Sequence, residues 1–174
     1  MNFAASDVKI RQFNDADAVG LTDLLHEAYA ELGNQGLNYT AVDQSVETTR
    51  ERASGGQCWI VEARETIVGT LTMSYPPAEG IRELTPEARQ PKRAWLNQVA
   101  VSPRIQRSGI AGRLWELGKD WAHRQGATAI GVDTAQPATH LIQLYVSWGF
   151  EHRGVVHWPG KTYDSVVMVR PGPG

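Results

Sequence analysis

The sequence predicts an α+β fold, a mixed β-sheet of about seven strands flanked by about four helices. Residues 1–170 are expected to form a single domain and 171–174 a flexible tail. Three observations lead there. Residues 95–101 are a short apolar, β-branched and aromatic run that Pro103 ends, and helical spacing begins only at Ser108 or Gly109. Residues 57–63 and 66–75 read as a hairpin about the turn at Arg64 and Glu65. Amphipathic helical stretches lie between the strands.

From the start of the chain, Val8 and Ile10 alternate with Lys9 and Arg11 as in a half-buried strand. Asn14 suits an N-cap and Asp17 a first turn. Ala18, Leu21, Leu25, Ala28 and Leu32 then recur at helical spacing until Gly33 and Gly36 break the helix. A loop over 35–42 carries Asn38 and Tyr39, and a short helix is expected over 43–53, closed by Gly55 and Gly56. In the second hairpin strand Ile67, Leu71, Met73 and Tyr75 share a face, and Gly69 suits a bulge or a close backbone approach. Cys58 reads as a packing thiol rather than a nucleophile, since no partnering histidine pattern surrounds it.

Residues 76–93 interrupt this order with Pro76, Pro77, Pro86 and Pro91, and with Glu79, Glu83 and Glu87. So long a loop is either a cover over an acceptor pocket or a solvated excursion. Its acidity favours a cationic acceptor. Beyond the central strand, Ile110, Leu114, Leu117 and Trp121 define one helical face that Gly126 should end. Residues 129–133 form a strand with Ile130 and Val132 on one face, and 134–139 a turn with Pro137. The next helix reaches Trp148, turns Leu141, Leu144 and Trp148 to the core, and stops at Gly149. Two strands within 152–169, separated by Trp158, Pro159, Gly160 and Lys161, close the chain.

Composition narrows the function. At 174 residues the chain can bury a sizeable core by itself. A net charge of −2 with mixed signs argues against a general nucleic-acid or membrane-surface binder. The lone cysteine excludes an internal disulfide and fits a reducing compartment. Neither a signal-peptide pattern nor a bilayer-length apolar run is seen, so a cytoplasmic location is expected. His26, His123, His140, His152 and His157 lack metal-ligand spacing, and no metal is expected.

The stretch from Ala94 to Arg113 reads as strand, basic turn, helix. The first turn of a helix has N–H groups without partners and carries the positive end of the dipole, so it can bind an anion that comes close enough. Gly109 and Ala111 permit that approach, and Arg104, Arg107 and Arg113 add charge. Gln106-x-x-Gly109-x-Ala111 then resembles the Q/R-x-x-G-x-G/A signature of the GNAT superfamily of N-acetyltransferases, and Leu144-Tyr145-x-x-Trp148-Gly149-Phe150 resembles its later L-Y-x-x-x-G-F segment. The strand-then-helix opening and the closing pair of strands also resemble that family.

The resemblance implies a mixed, largely antiparallel sheet and acetyl-CoA as co-substrate. Its pyrophosphate would lie on Gln106, Arg107, Ser108, Gly109, Ile110, Ala111, Gly112 and Arg113, and its pantetheine arm along Val99, Ala100 and Val101. It implies Tyr145 as the general acid toward the departing thiolate, the alternative being a packing tyrosine. Many members place a glutamate on the central strand, where this chain has Asn97 and Gln98, and amides are poor bases. Asp133 lies where some bacterial members that acetylate ribosomal proteins carry a carboxylate. It is the candidate base, directly or through water; its alternative is to cap the following turn. His140 is a reserve base. Ala138 replaces a frequent cofactor-contacting asparagine, a contact that is either lost or supplied elsewhere, with Gln136 as the candidate.

A base is needed because an amine attacks a thioester only when neutral, whereas a lysine-like amine has a pKa of about 10.4. The expected activity is direct transfer to a primary amine: a small amine such as an amino acid, polyamine or aminoglycoside-like compound, or a peptide or protein amine. A CoA-binding sensor or interaction domain is the alternative, and a nucleic-acid-directed enzyme is disfavoured by the charge. A homodimer is compatible with the family.

Overall fold

In the computed structural model, which describes residues 7–172, β1 (Val8–Gln12) leads through a single 3-10 turn into α1 (Ala18–Asn34). The entry is a capping box, with the Asn14 side chain accepting from Ala16 N–H and the Asp17 carboxylate from Asn14 N–H. Arg11 clamps the same Asp17 through two bonds of 2.7 Å and also reaches Glu62 at 2.8 Å, tying the turn to the sheet. Gly33 does not break α1. It sits inside the helix because a Cβ there would come within 2.8 Å of Val42, and the chain turns at Gly36, whose φ is +84°.

The helix expected over 43–53 is instead two pieces, α2 (Thr40–Asp43) and α3 (Val46–Ser54). Ser45 causes the division, its hydroxyl capping Thr48 N–H at 3.1 Å. The hairpin β2 (Gln57–Ala63) and β3 (Thr66–Ser74) follows. Val61 pairs with Gly69 but Glu62 with Ile67, which leaves Val68 as an extra residue. This bulge reverses the alternation, so Ile67 packs toward α1 while Leu71 and Met73 enter the core on the other side.

Residues 76–93 fold into α4 (Glu79–Leu84) and α5 (Pro86–Arg89), with Ile81 and Ala88 buried against Trp95 and Val167. The solvated-excursion alternative is thereby corrected: two short helices, the second capped by the Thr85 hydroxyl and opened by Pro86, dock Ile81 and Ala88 on the sheet. Then come β4 (Arg93–Val101), a 3-10 turn, α6 (Ile110–Arg124), β5 (Ala129–Ala135), α7 (Thr139–Ser147), β6 (Glu151–Val156) and β7 (Ser165–Pro171). The last strand includes Pro171, assigned above to the tail, because Pro171 lies opposite Ala129; residues 173–174 of that tail, like residues 1–6, lie outside the described residues.

The sheet runs β1-β2-β3-β4-β5-β7-β6, antiparallel except at β4–β5. One face is covered by α1 through Leu21, Leu24 and Leu25 against Ile60 and Ala100, the other by α6 through Leu114 and Trp115. Gly118 lets α6 close onto the sheet, since a Cβ there would fall 2.8 Å from Leu71. Leu117 is not on the buried face as expected; it is 38 % exposed, and Ile110, Leu114, Gly118 and Ala122 form the inward stripe. Trp148 leaves α7 to stack on Trp115, with ring centroids 5.2 Å apart. Among the described residues no helix is long and apolar enough to cross a membrane.

One irregularity positions the site. In β4, Thr70 faces Ala100 but Thr72 faces Asn97, so β4 carries an extra residue, and Gln98 takes the left-handed φ of 48°. Pairing with β5 extends from Arg93 to Trp95 and no further. Past that point the two parallel strands part, and the β5-facing edge of residues 97–101 has no neighbouring strand.

Candidate active site

Two cavities open from this parting, and they meet at Tyr29 and Val99, which line both. The Tyr29 hydroxyl donates to the Val99 carbonyl at 2.8 Å. One cavity, of about 470 Å³, runs from Val99, Ala100 and Val101 to the N-terminus of α6. Gln106, Arg107, Ser108, Gly109, Ile110, Ala111 and Gly112 line it, so the structure gathers every residue expected around a cofactor except Arg113, which points to solvent.

The chain reaches α6 through Gly109, with φ +81°, a conformation open to glycine at little cost. A Cβ built at Gly109 or Gly112 meets nothing within 4 Å, so the backbone here faces open space. The first intrahelical bond is from Arg113 N–H to the Gly109 carbonyl, which leaves the preceding N–H groups as free donors at the positive end of the dipole. This cradle fits a pyrophosphate. Of the three arginines expected to add charge, Arg107 lines it, whereas Arg104 is paired with Glu27 at 3.2 Å.

The second cavity, of about 380 Å³, lies on the other side of Tyr29 and Val99 and is bounded by α3, α4, β4, β5 and the β6–β7 connection. Tyr145 and Asp133 both line it. Tyr145 is 4 % exposed and held by Trp148 and Phe150, whose ring centroids each lie 5.8 Å away. Burial raises its phenol well above the usual range, and its hydroxyl has no hydrogen-bond partner among the described residues. Asp133 does not cap the following turn. Its Oδ1 accepts from the Trp95 indole at 2.9 Å and its Oδ2 from the Trp158 indole at 2.8 Å. Burial pushes its carboxyl above the ordinary 3.8, against the pull of the two indoles.

Other expectations fare differently. Asn97 Nδ2 donates to Ser74 Oγ and the Trp95 carbonyl, a bracing role consistent with an amide. His140 lines the cavity at the start of α6 and not the one that Asp133 lines. Gln136 stands exposed and lines neither cavity, so it does not replace the contact missing at Ala138. Cys58 is buried, and burial raises its thiol, as befits a packing residue. The acidic side chains of 76–93 turn away: Glu87 pairs with Arg93, while Ala78, Gly80 and Ile81 face the cavity. Among the described residues no group of three histidine, cysteine, aspartate or glutamate side chains gathers as metal ligands.

Tyr39 lines the cavity, in keeping with its place in the 35–42 loop, which the family resemblance sets at the acceptor site by position alone, whereas Trp95, Trp158, Arg52, Tyr29 and Tyr163 were not singled out as cavity residues. Tyr39 lies 5.1 Å from Tyr163 and 5.2 Å from Tyr29, centroid to centroid, forming one aromatic wall. Arg52, on an otherwise polar helix, gave no signal.

A seven-stranded sheet split at its one parallel pair, with a glycine-lined helix start on one side of the split, defines an acetyltransferase fold of the GNAT type. The acetyltransferase (GNAT) family model matches residues 19–150, and the chain belongs to that family. No curated protein matches the chain in sequence. Among solved structures, it is similar to the ribosomal-protein-S18-alanine N-acetyltransferase of Escherichia coli, at 15 % identity over 96 % of each chain with a TM-score of 0.70. It is likewise similar to Ard1 from Thermoplasma volcanium (16 % identity, 97 % of this chain and 99 % of that one, TM-score 0.70). An IAA acetyltransferase from Bacillus cereus aligns at 15 % identity over 94 % of this chain and 99 % of its own, with a TM-score of 0.64. At such identities these likenesses establish the fold.

Proposed function

We propose that this chain transfers the acetyl group of acetyl-CoA directly to a primary amine, with Tyr145 as general acid and Asp133 as base. The observation that carries this is that both side chains line one cavity, which meets the glycine-lined cradle at Tyr29 and Val99. When bound, acetyl-CoA supplies an activated thioester, whose acetyl carbon forms the new C–N bond as its C–S bond breaks. Residues 106–112 hold its pyrophosphate through backbone N–H groups, and the open edge of Val99, Ala100 and Val101 aligns the arm and offers a donor to the carbonyl oxygen. Asp133 takes the proton that the ammonium must lose, directly or through water. Tyr145 gives its proton to the departing sulfur and is reprotonated, through solvent, by the second proton that the attacking nitrogen sheds as the amide forms. The net change is one acetamide, one thiol and one released proton. Cys58, buried and without an activating partner, takes no part, so the transfer needs no acyl-enzyme.

The test is thiol release from acetyl-CoA against a mixed panel of small amines and peptides, with wild type and Tyr145→Phe side by side and acetyl-CoA binding measured in parallel. Turnover that falls about a hundredfold or more in the variant while binding holds supports the assignment. Binding without any turnover favours a CoA-binding domain that no longer transfers. Absence of binding overturns the reading.

A further inference from the structure

The cavity that would receive the amine contains three charged side chains among the described residues: Asp133, Arg52 and Lys161. Two are cations, and neither forms an ion pair with a carboxylate of the described chain. Arg52 is half-buried, yet among the described residues its guanidinium makes one hydrogen bond, Nη1 to Gln44 Oε1 at 2.8 Å, out of a fork of donors. Lys161 stands at the rim, where its ammonium donates to the Asn38 carbonyl at 2.7 Å and to Thr40 Oγ1 at 3.1 Å. Burial pulls Arg52 below its usual range, and the charge of Asp133, which makes no direct ion pair with it, offsets this only in part.

Desolvating a cation in this way costs free energy that a protein recovers only when an anion arrives. Arg52 is also held in place. Gln44 binds Arg52 through its oxygen and reaches Gln98 at 3.1 Å and Thr49 at 2.7 Å through its nitrogen, so helix α3 is tied to the bulge of β4. Gln98, 7 % exposed and on the same wall, has an Nε2 donor that is buried without a partner. Arg52, Lys161 and Gln98 thus bring donors to a cavity whose one carboxylate, Asp133, has its oxygens on two indoles and makes no ion pair with either cation.

The geometry points to an amino-carboxylate as the acceptor: its amine toward Asp133 and its carboxylate on the guanidinium of Arg52, with Lys161 at the rim adding to the attraction. This rests on the acetyl-transfer reading and narrows it. A planar carboxylate matches the guanidinium fork in a bidentate pair. The walls made by Tyr29, Tyr39, Tyr163 and Trp158 favour an apolar or aromatic body between the two ends. Polyamines and aminoglycosides, which bring only positive charge, would meet two cations.

Thiol release from acetyl-CoA is measured for the common L-amino acids, β-alanine and γ-aminobutyrate, each beside the amine made by deleting its carboxylate. At least one amino-carboxylate is expected to exceed its own decarboxylated amine by about tenfold or more in kcat/KM. That ratio collapses toward one in Arg52→Gln and is partly restored in Arg52→Lys. Decarboxylated amines that serve equally well or better overturn the proposal and leave acetyl transfer standing. So does silence of every amino-carboxylate while acetyl-CoA binds. If Arg52→Gln does not fold, the matched pairs on the wild type decide alone. Failure to bind acetyl-CoA, measured separately, strikes the underlying reading and takes the proposal with it.

Discussion

The Tyr29 hydroxyl donates to the carbonyl of Val99 at 2.8 Å, from α1 across to β4, at the one place where the two cavities meet. β4 has lost β5 as a neighbour by this point, so a side chain takes up a carbonyl that a strand would otherwise satisfy. Tyr29→Phe removes that donor and leaves the carbonyl buried. A stability loss of about 1 kcal/mol is expected by denaturant melts, together with a fall in kcat/KM as the strand edge proposed to guide both substrates loosens.

Gly112 separates fold from ligand. It lies in the first turn of α6 with ordinary helical backbone and open space where its Cβ would be. Gly112→Ala should therefore raise stability by up to about 1 kcal/mol through helix propensity. The same methyl group projects into the cradle, so acetyl-CoA affinity should drop, measured by calorimetry. Greater stability with unchanged affinity would place the pyrophosphate elsewhere.

Asp133 gives a pH signature. Burial raises its pKa, so its basic form is complete only above that raised value, and kcat/KM should climb with pH through a range above the ordinary 3.8. Asp133→Asn should lower kcat/KM about a hundredfold or more and abolish this limb of the profile. A retained limb would assign the base to another group.

How much of this was legible beforehand depended on the range of the interaction. The strand-turn-helix around Gly109 and the hairpin about Arg64 and Glu65 are local, and residue type with spacing specifies them. The bulges at Val68 and Gln98 are set by pairing with a neighbouring strand, which no single segment records, and so the face of Ile67 was read wrongly. Tyr145 and Asp133 were visible because a family pattern marks them. Arg52 was not, because a charged residue on a polar helix looks the same whether it meets water or a cavity.

Gly131 links the sheet to Asp133, the proposed base. In the one stretch where β4 and β5 pair, Trp95 lies opposite Gly131, and a Cβ on Gly131 would come within 2.1 Å of the Trp95 ring. The indole thus lies across the glycine and donates to Asp133 Oδ1. Gly131→Ala should force Trp95 aside, costing about 1–3 kcal/mol of stability through overpacking. Kinetically it should lower kcat while acetyl-CoA affinity stays close to wild type, since the cradle lies on the other side of the strand parting.

Asp17 tests the sequence's own capping signal. Its carboxylate, 8 % exposed, accepts two bonds from Arg11 and one from Asn14 N–H, and the Arg11 bonds above all hold its pKa below 3.8 in the folded protein. A depressed folded pKa means that the unfolded chain binds the proton more readily. The stabilisation is therefore fully present above the unfolded value near 3.8 and is lost as pH falls through the lower folded value. Asp17→Asn should cost about 3 kcal/mol at neutral pH, because Arg11 is left with Glu62 alone and the capping box loses its charge. In melts as a function of pH, the wild-type and variant curves should converge below the folded pKa. Curves that stay parallel down to that range would show that the Asp17 charge contributes nothing and that packing alone holds the entry to α1.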